Sequence, residues 1–288
     1  MGGSGATTLV HGPELLVQTY LDRILSAMQT WATNLLETDT TLEPKEDAEG
    51  RLHTAGPVDF FRLLNDQVAL VEPVDRGLLM FRMAKALLGV MAHFQRAQKA
   101  RVEEWLIPQG SIEHLCAMVN NNLQCYDLSE EFQEYVKEAL EDDRLKDQLD
   151  IDEVCRGFLD CAKTALSALA AIVFSDPGMQ GLLGLLYTSG DWREGRVAEC
   201  MLDTFEDWFG DFERFVDKSF VGRLKEAILE NCVTAMIAAL LSKFPPVNET
   251  TISRYRCADP RGFSSLCAGT HRASHAHRGL PRGAHPAS

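Results

Sequence analysis

The sequence predicts an all-α fold, an elongated rod of stacked antiparallel helical bundles with a disordered C-terminal tail. Three observations carry that expectation. Apolar residues recur at steps of three and four over segments longer than the mean globular helix of about 11 to 12 residues. No alternating pattern rich in β-branched residues lasts long enough to make a sheet. At Asn248 helical periodicity gives way to Arg, His, Gly, Pro and Ser, a composition that cannot bury a core. The boundaries that follow are a disordered start over residues 1–12, a helical-bundle domain over 13–247 and the tail over 248–288.

The elements follow in order. Leu15, Leu16, Tyr20, Ile24, Met28, Trp31 and Leu35 mark a first helix from about Pro13 to Glu37, with proline suited to a first helical position. Residues 38–56 collect Thr, Asp, Glu, Pro and Gly without periodicity and read as a peripheral acidic loop. Pro57 opens a second helix through Phe60, Phe61, Leu64, Val68 and Leu70. Pro73 ends it and starts a longer one through Met80, Ala84, Leu87, Met91, Phe94, Val102 and Trp105. Pro108-Gln109-Gly110 interrupts, and Ser111 caps a helix that runs from Ile112 through Val119, Phe132 and Leu140, in one piece or two. Leu145 to Phe174 supplies the next helix, Ser175-Asp176-Pro177-Gly178 stops it, and a short apolar segment from Leu182 to Tyr187 precedes a turn-rich connection over 188–195.

The penultimate helix, about Arg196 to Lys218, is the most sharply two-faced. Val197, Met201, Phe205, Trp208, Phe212 and Phe215 fall at steps of four, four, three, four and three, while Asp203, Glu206, Asp207, Asp211 and Glu213 occupy the wet side. Aromatic residues at this spacing bury large apolar areas, so Trp31, Trp105, Phe205, Trp208 and Phe212 are the expected structural core. In the last helix, Phe220 to Phe244, Leu224, Ile228, Cys232, Met236 and Leu240 step by four. Leu229, Val233 and Ile237 widen that face enough to pack against more than one neighbour.

Charge and cysteine usage narrow the function. The net charge is −14; from Arg256 onward five arginines face one aspartate, a balance of +4, so residues 1–255 carry −18. Such a body repels nucleic acid and anionic membrane and favours a basic partner. Eight cysteines include no CxxC pair, and six of them sit in helical apolar patterns, as in a reduced, cytosolic protein. No apolar run reaches the roughly 18 to 20 residues of a bilayer span, and the start lacks a charged region followed by an apolar core, which argues against membrane spanning and secretion. Met1-Gly2 fails the myristoylation pattern at Ala6, and the sequon Asn248-Glu249-Thr250 reads as a chance match.

Candidate chemistry is sparse. Glu141-Asp142-Asp143-Arg144-Leu145-Lys146-Asp147 approaches the magnesium-binding aspartates of all-α prenyl-diphosphate enzymes, but Lys146 stands at the fifth position after Asp142, where a cation repels the metal. His271, His275, His277 and His285, with Cys257 and Cys267, lack the paired short spacings of a zinc site. His114 and Cys116 point to different sides of a helix, and His53 and His93 have no evident acid partner. Neither a G-x-S-x-G element nor a phosphate-binding glycine loop occurs. The expectation is therefore a non-enzyme with no catalytic, cofactor-binding or metal-binding residue, no cofactor and no small-molecule substrate. The alternative is an all-α metal-dependent lyase or transferase with an unrecognised site.

Three strings carry a family resemblance. They are His53-Thr54-Ala55-Gly56-Pro57-Val58-Asp59-Phe60-Phe61-Arg62-Leu63-Leu64-Asn65-Asp66-Gln67; Ile112-Glu113-His114-Leu115-Cys116-Ala117-Met118-Val119-Asn120-Asn121-Asn122; and Trp192 followed by Thr204-Phe205-Glu206-Asp207-Trp208-Phe209-Gly210-Asp211-Phe212. In this order they resemble the C-terminal half of the Sec-six family of the exocyst, exocyst complex component three, over about residues 10 to 245. The resemblance implies a non-catalytic subunit of a vesicle-tethering complex in exocytosis. Its partners are other exocyst subunits and SNARE proteins, and its location is cytoplasmic, peripherally at the plasma membrane or secretory vesicle sites through the complex. It also implies a partial product, since the family's N-terminal coiled-coil half has no counterpart and the tail departs from the family's further helices. Glu206, Asp207, Asp211 and Glu213, with the loop 38–50, are the expected partner-facing acids.

Overall fold

The computed structural model describes residues 6–105 and 112–243; the side chains of residues 6–11, 13 and 105 lie outside that description. The tail, the Ser111 cap and the expected burial of Trp105 therefore fall outside the described residues. Among the described residues ten helices and one two-stranded hairpin follow in chain order: α1 Ala6–Asp39, β1 Lys45–Glu46, β2 Leu52–His53, α2 Gly56–Val71, α3 Leu78–Trp105, α4 Ile112–Ala139, α5 Asp143–Asp147, α6 Asp152–Ser175, α7 Pro177–Leu185, α8 Gly190–Arg193, α9 Arg196–Phe215 and α10 Lys218–Lys243. The fold is all-α as the periodicity predicts, with differences at the joints.

Each difference has a local cause. Helix α1 takes in residues 6–12, expected to be a disordered start. The third helix opens at Leu78 rather than at Pro73, because Asp75 accepts from the backbone N–H groups of Gly77 at 2.7 Å and Leu79 at 3.0 Å and so satisfies the first turn there. The helix expected from Leu145 to Phe174 is broken at 148–151: Asp142 caps the five-residue α5, and α6 restarts at Asp152. Asp176 ends α6 and caps α7 through Met179 N–H, with Pro177 at the first helical position. The 38–56 loop holds an antiparallel pair, Lys45 opposite His53 and Glu46 opposite Leu52, turned at Gly50 with φ +84°, a left-handed value that favours glycine.

Helices α4 and α6 pack against one another along their length and form the spine. The start of α4 (Leu115 to Val119) meets the end of α6 (Ala162 to Val173), whereas the end of α4 (Phe132 to Ala139) meets the start of α6 (Val154, Phe158), so the two run antiparallel. Two cores result. The first gathers α1, α2 and α3 around Phe60, Leu64, Met80, Met83, Leu87 and Met91; the second gathers α7, α9 and α10 around Leu169, Val173, Met179, Phe205 and Phe212. Gly157 lets α3 approach α6: a Cβ there would overlap the Gln95 carboxamide, which donates to the Val154 carbonyl at 2.7 Å.

Three sequence expectations are corrected here. Trp31, expected in the core, is 48% exposed, because α1 packs through Leu21, Met28, Ala32 and Leu36 and Trp31 lies about 100° around the helix from Ala32. Leu229, Val233 and Ile237 of α10, expected to meet a second neighbour, stand 47%, 40% and 52% exposed with Leu241 at 56%, because α10 packs on the core through the edge of Phe220, Leu224, Ile228 and Cys232, with Ala227 and Met236 beside it. The stretch Asp143–Ser175 is long and apolar enough, by length and composition, to cross a membrane, contrary to the reading that no run suffices. Its apolar face is spent on the spine, where Phe158, Ala162, Ala165, Leu169 and Val173 have no exposed surface.

Candidate functional site

Helix α9 supplies the site. Val197, Met201, Phe205 and Phe212 are buried, and Trp208, Phe209 and Phe215 are partly buried against the same core. Phe205 lies 5.9 Å from Phe174 of α6 and 6.2 Å from Phe209, and Trp208 stacks on Phe212 at 5.6 Å. Trp192 of α8 meets Tyr187 edge-on at 5.2 Å. Tyr187, held at φ 65°, also donates through its hydroxyl to the Met236 carbonyl at 3.2 Å, tying α7 to α10. Lys243 completes that joint by donating to the carbonyls of Gly184 and Leu186 at the end of α7, groups a helix terminus leaves unpaired.

With its aromatic face fixed, α9 presents its acids to solvent. Glu206, Asp207, Asp211 and Glu213 are all exposed. Glu213 differs from the others, since Lys225 of α10 pairs with it at 2.5 Å and also sits 5.3 Å above the Phe209 ring. Asp207 and Asp211 belong to a longer column with Glu199 and Asp203, four exposed acids at steps of four. Among the described residues no cation lies within ion-pair distance of that column or of Glu206; nearby Arg196 is engaged by Asp191 and Glu194. Glu199, one helical turn before Asp203, is the member of the column the sequence reading missed. Its i,i+4 spacing was the signal.

The acidic loop behaves otherwise, because its charges are spent within the chain. Arg51 pairs with Asp47, Glu49 and Asp217, each at 2.8 Å, and Arg214 at the end of α9 pairs with Glu46 at 2.8 Å. Burial alone would raise the Asp217 carboxyl, but two hydrogen bonds from Ser219 and the Arg51 guanidinium outweigh it and hold it below the usual range. Asp47 is held low against a similar burial effect by backbone and side-chain hydrogen bonds from Arg51. Asp39, last residue of α1, accepts from Thr54 Oγ1 at 2.5 Å and Gly56 N–H at 3.1 Å; burial raises its carboxyl. Hence the loop 38–50 is a clasp more than a free acidic surface.

The clasp closes on the asparagine run of α4. Asn120 is 1% exposed and uses its whole carboxamide: Nδ2 donates to the carbonyls of Leu52 and Phe215 at 2.8 Å, and Oδ1 accepts from Asp217 N–H at 2.8 Å. Asn121 exchanges hydrogen bonds with Thr54, and Asn122 donates to Gln98 Oε1 and the Met118 carbonyl. One side chain thus joins the hairpin, the spine and the α9–α10 corner. Buried amides of this kind need partners, and Asn120 and Asn121 find them, while Asn122 leaves Oδ1 without one among the described residues.

Elsewhere the residues considered for chemistry have structural roles. Asp142 caps α5 through Arg144 N–H, and Lys146 pairs with Asp143 at 3.1 Å. Burial pushes the Cys161 thiol up to about 12 and the Cys155 thiol up to about 11, which suppresses thiolate formation. His53 is lowered chiefly by burial, 3.3 Å from Asp47, and His93 hydrogen-bonds Thr33 at 3.1 Å.

Comparison with known proteins agrees with this architecture. The family model for exocyst complex component Sec6 matches residues 9–251. The exocyst complex component sec6 of Schizosaccharomyces pombe is 20% identical over 216 residues, which cover 68% of this chain but 28% of that protein. The crystal structure of the C-terminal domain of the exocyst subunit Sec6p superposes with a TM-score of 0.73 at 16% identity, covering 93% of this chain and 73% of that one. Buried asparagines on the spine, an aromatic-faced acidic helix and the match across residues 9–251 lead to one conclusion: the chain belongs to the exocyst Sec6 family.

Proposed function

We propose that this chain serves as a non-catalytic part of an exocyst subunit in vesicle tethering and exocytosis. It binds other exocyst subunits and SNARE proteins, in the cytoplasm and peripherally at the plasma membrane or secretory vesicle sites. Family membership supports the exocyst assignment. The observation that carries the binding surface is the unpaired column Glu199, Asp203, Asp207 and Asp211. Like charges at i,i+4 weaken their own helix by about 0.2 to 0.5 kcal/mol per pair, and no cation of the described residues lies within ion-pair distance of them. A basic surface on a partner would convert that cost into attraction and speed encounter.

Charge reversal tests the proposal. The Asp207→Lys, Asp211→Lys double variant is expected to keep its thermal unfolding profile and to lose co-purification with other exocyst subunits at moderate salt. Unchanged co-purification would overturn the assignment of α9 as the partner-facing edge.

A further inference from the structure

The opposite charge collects on a different face. A groove of about 750 Å3, open to solvent, runs between α3 and α6. Its floor is low at Gly89 and Ala92 on α3, the Gln95 carboxamide lies over Gly157 on α6, and Leu88 and Val154 flank it. Arg96 and Lys99 on α3 and Arg156 on α6 line it, and none of the three lies within ion-pair distance of a carboxylate among the described residues. Two acids, Glu153 and Asp160, share the lining. Lys163 pairs with Asp160 at 2.8 Å and, chiefly through that hydrogen bond, holds its carboxyl low, with Lys99 and Arg156 adding to the effect. Three cations thus face two acids, one of them held by Lys163, so the groove is locally cationic by a small margin in a chain of net charge −14.

Gly89 makes the groove more than a gap between helices. Glycine inside a helix is less stable than alanine there, so a glycine that packing does not require needs another reason. A Cβ at Gly89 would meet nothing closer than Leu25 Cδ1 at 3.9 Å, an ordinary contact. Gly157 is different, since Gln95 occupies the space its Cβ would take. A Cβ at Gly157 would displace the Gln95 carboxamide and its hydrogen bond to Val154, whereas a Cβ at Gly89 would displace nothing. What Gly89 preserves is close approach from outside, as small residues do where helix backbones come together.

We propose that the α3–α6 groove docks an acidic amphipathic helix from a partner protein, seated with small apolar residues over Gly89 and Ala92 and with carboxylates toward Arg96, Lys99 and Arg156. The lining spans Leu88 to Lys99 on α3, about 16 Å of helix axis and hence roughly three turns of an occupant. A bilayer is too flat to reach a floor sunk between two helices, and the acidic body repels an anionic one. This proposal does not depend on the acidic edge of α9, which has the opposite sign and takes basic surfaces.

The test titrates the full chain with a fluorescein-labelled helical peptide of about 20 residues, with Ala and Leu on one face and Glu on the other. A peptide of the same composition with its apolar face scrambled, inorganic phosphate, and phosphatidylserine-containing vesicles form the other arms. The amphipathic peptide should bind and protect residues 88–99 and 153–160 from hydrogen exchange. The Arg96→Glu, Lys99→Glu, Arg156→Glu variant and the groove-filling Gly89→Trp variant should each weaken it at least tenfold, a difference of about 1.4 kcal/mol. Gly89→Ala gives the sharpest signature: it should raise the melting temperature while weakening the peptide. Equal binding of the scrambled peptide, indifference to Gly89→Trp and Gly89→Ala, or preferential binding of vesicles or phosphate would overturn the proposal.

Discussion

The two cores are built from different materials on one spine. In the first, large side chains fill the space: Phe60 stacks on Phe94 at 4.2 Å and meets Phe61 edge-on at 5.4 Å, and Met80, Met83, Leu87 and Met91 have no exposed surface. In the second, α6 turns to small residues, Ala162, Ala165, Ala168 and Ala170, each at most 2% exposed, so that α4 and α10 can approach it closely. The outer layer of that second core then leaves Leu229, Val233, Ile237 and Leu241 in solvent at steps of four. The first core is filled by large side chains throughout, whereas the second sets small residues of α6 against aromatic ones of α9 and leaves one edge of its outermost helix in solvent.

That contrast can be broken by measurement. The largest effect is expected for Phe60→Ala and Phe212→Ala, each 1% exposed, at about 3 to 5 kcal/mol of unfolding free energy in urea. A folded, unperturbed Phe212→Ala protein would show that the α9 stripe is no core and that the second bundle is looser than its burial indicates. Next comes Asn120→Ala, which strips the Leu52 and Phe215 carbonyls and the Asp217 N–H of their partner and is expected to cost about 1 to 3 kcal/mol, with faster proteolysis in the 45–53 hairpin as its local readout.

Acid should loosen the same clasp before it loosens the cores. Asp47 and Asp217 have carboxyls held below 3.8, so their contribution is present above that pH and is lost as pH falls through their folded values. Asp39 runs the other way: its raised carboxyl contributes stability below 3.8 that is lost as pH rises through its folded value. Protection of the Gly50 and Arg51 amides, relative to their intrinsic exchange, is therefore expected to fall below about pH 4, while the amides of α4 and α6 stay protected. Simultaneous loss of all of them would mean that the hairpin has no separate stability. The smallest effect belongs to Ile237→Ala on the exposed stripe of α10, within about 0.5 kcal/mol of the parent protein. A cost like that of Phe212→Ala would show that the α10 face is covered in solution.

Particular residues show how far the chain could be read without coordinates. Phe205 and Phe212 were legible as an inward face and Asp207 and Asp211 as an outward one, since a 3.6-residue period separates the two sides of any helix. The Asn120-Asn121-Asn122 run stood out as a string, but its task was not legible, because the Leu52 carbonyl is 68 residues away and Phe215 is 95 away. The 38–56 segment read as a peripheral loop because two-residue strands carry no period; Arg51 and Arg214 decide its placement by reaching distant acids. Trp31 was misplaced for a related reason: size and apolarity suggested burial, and the neighbouring Ala32 faces α3 instead.

By itself, then, the sequence determined the all-α class, most helix boundaries to within a few residues and the two-faced character of α9, because these depend on local propensity and on period. Only the tertiary structure decided which apolar faces find a cover, which acids are neutralised and which glycines packing demands. Gly157 and Gly89 are the same residue in similar helices, and only what a Cβ would meet separates them: the Gln95 carboxamide at one, and nothing nearer than Leu25 Cδ1 at 3.9 Å at the other. Period says which side of a helix avoids water; what lies against that side is a property of the assembled chain.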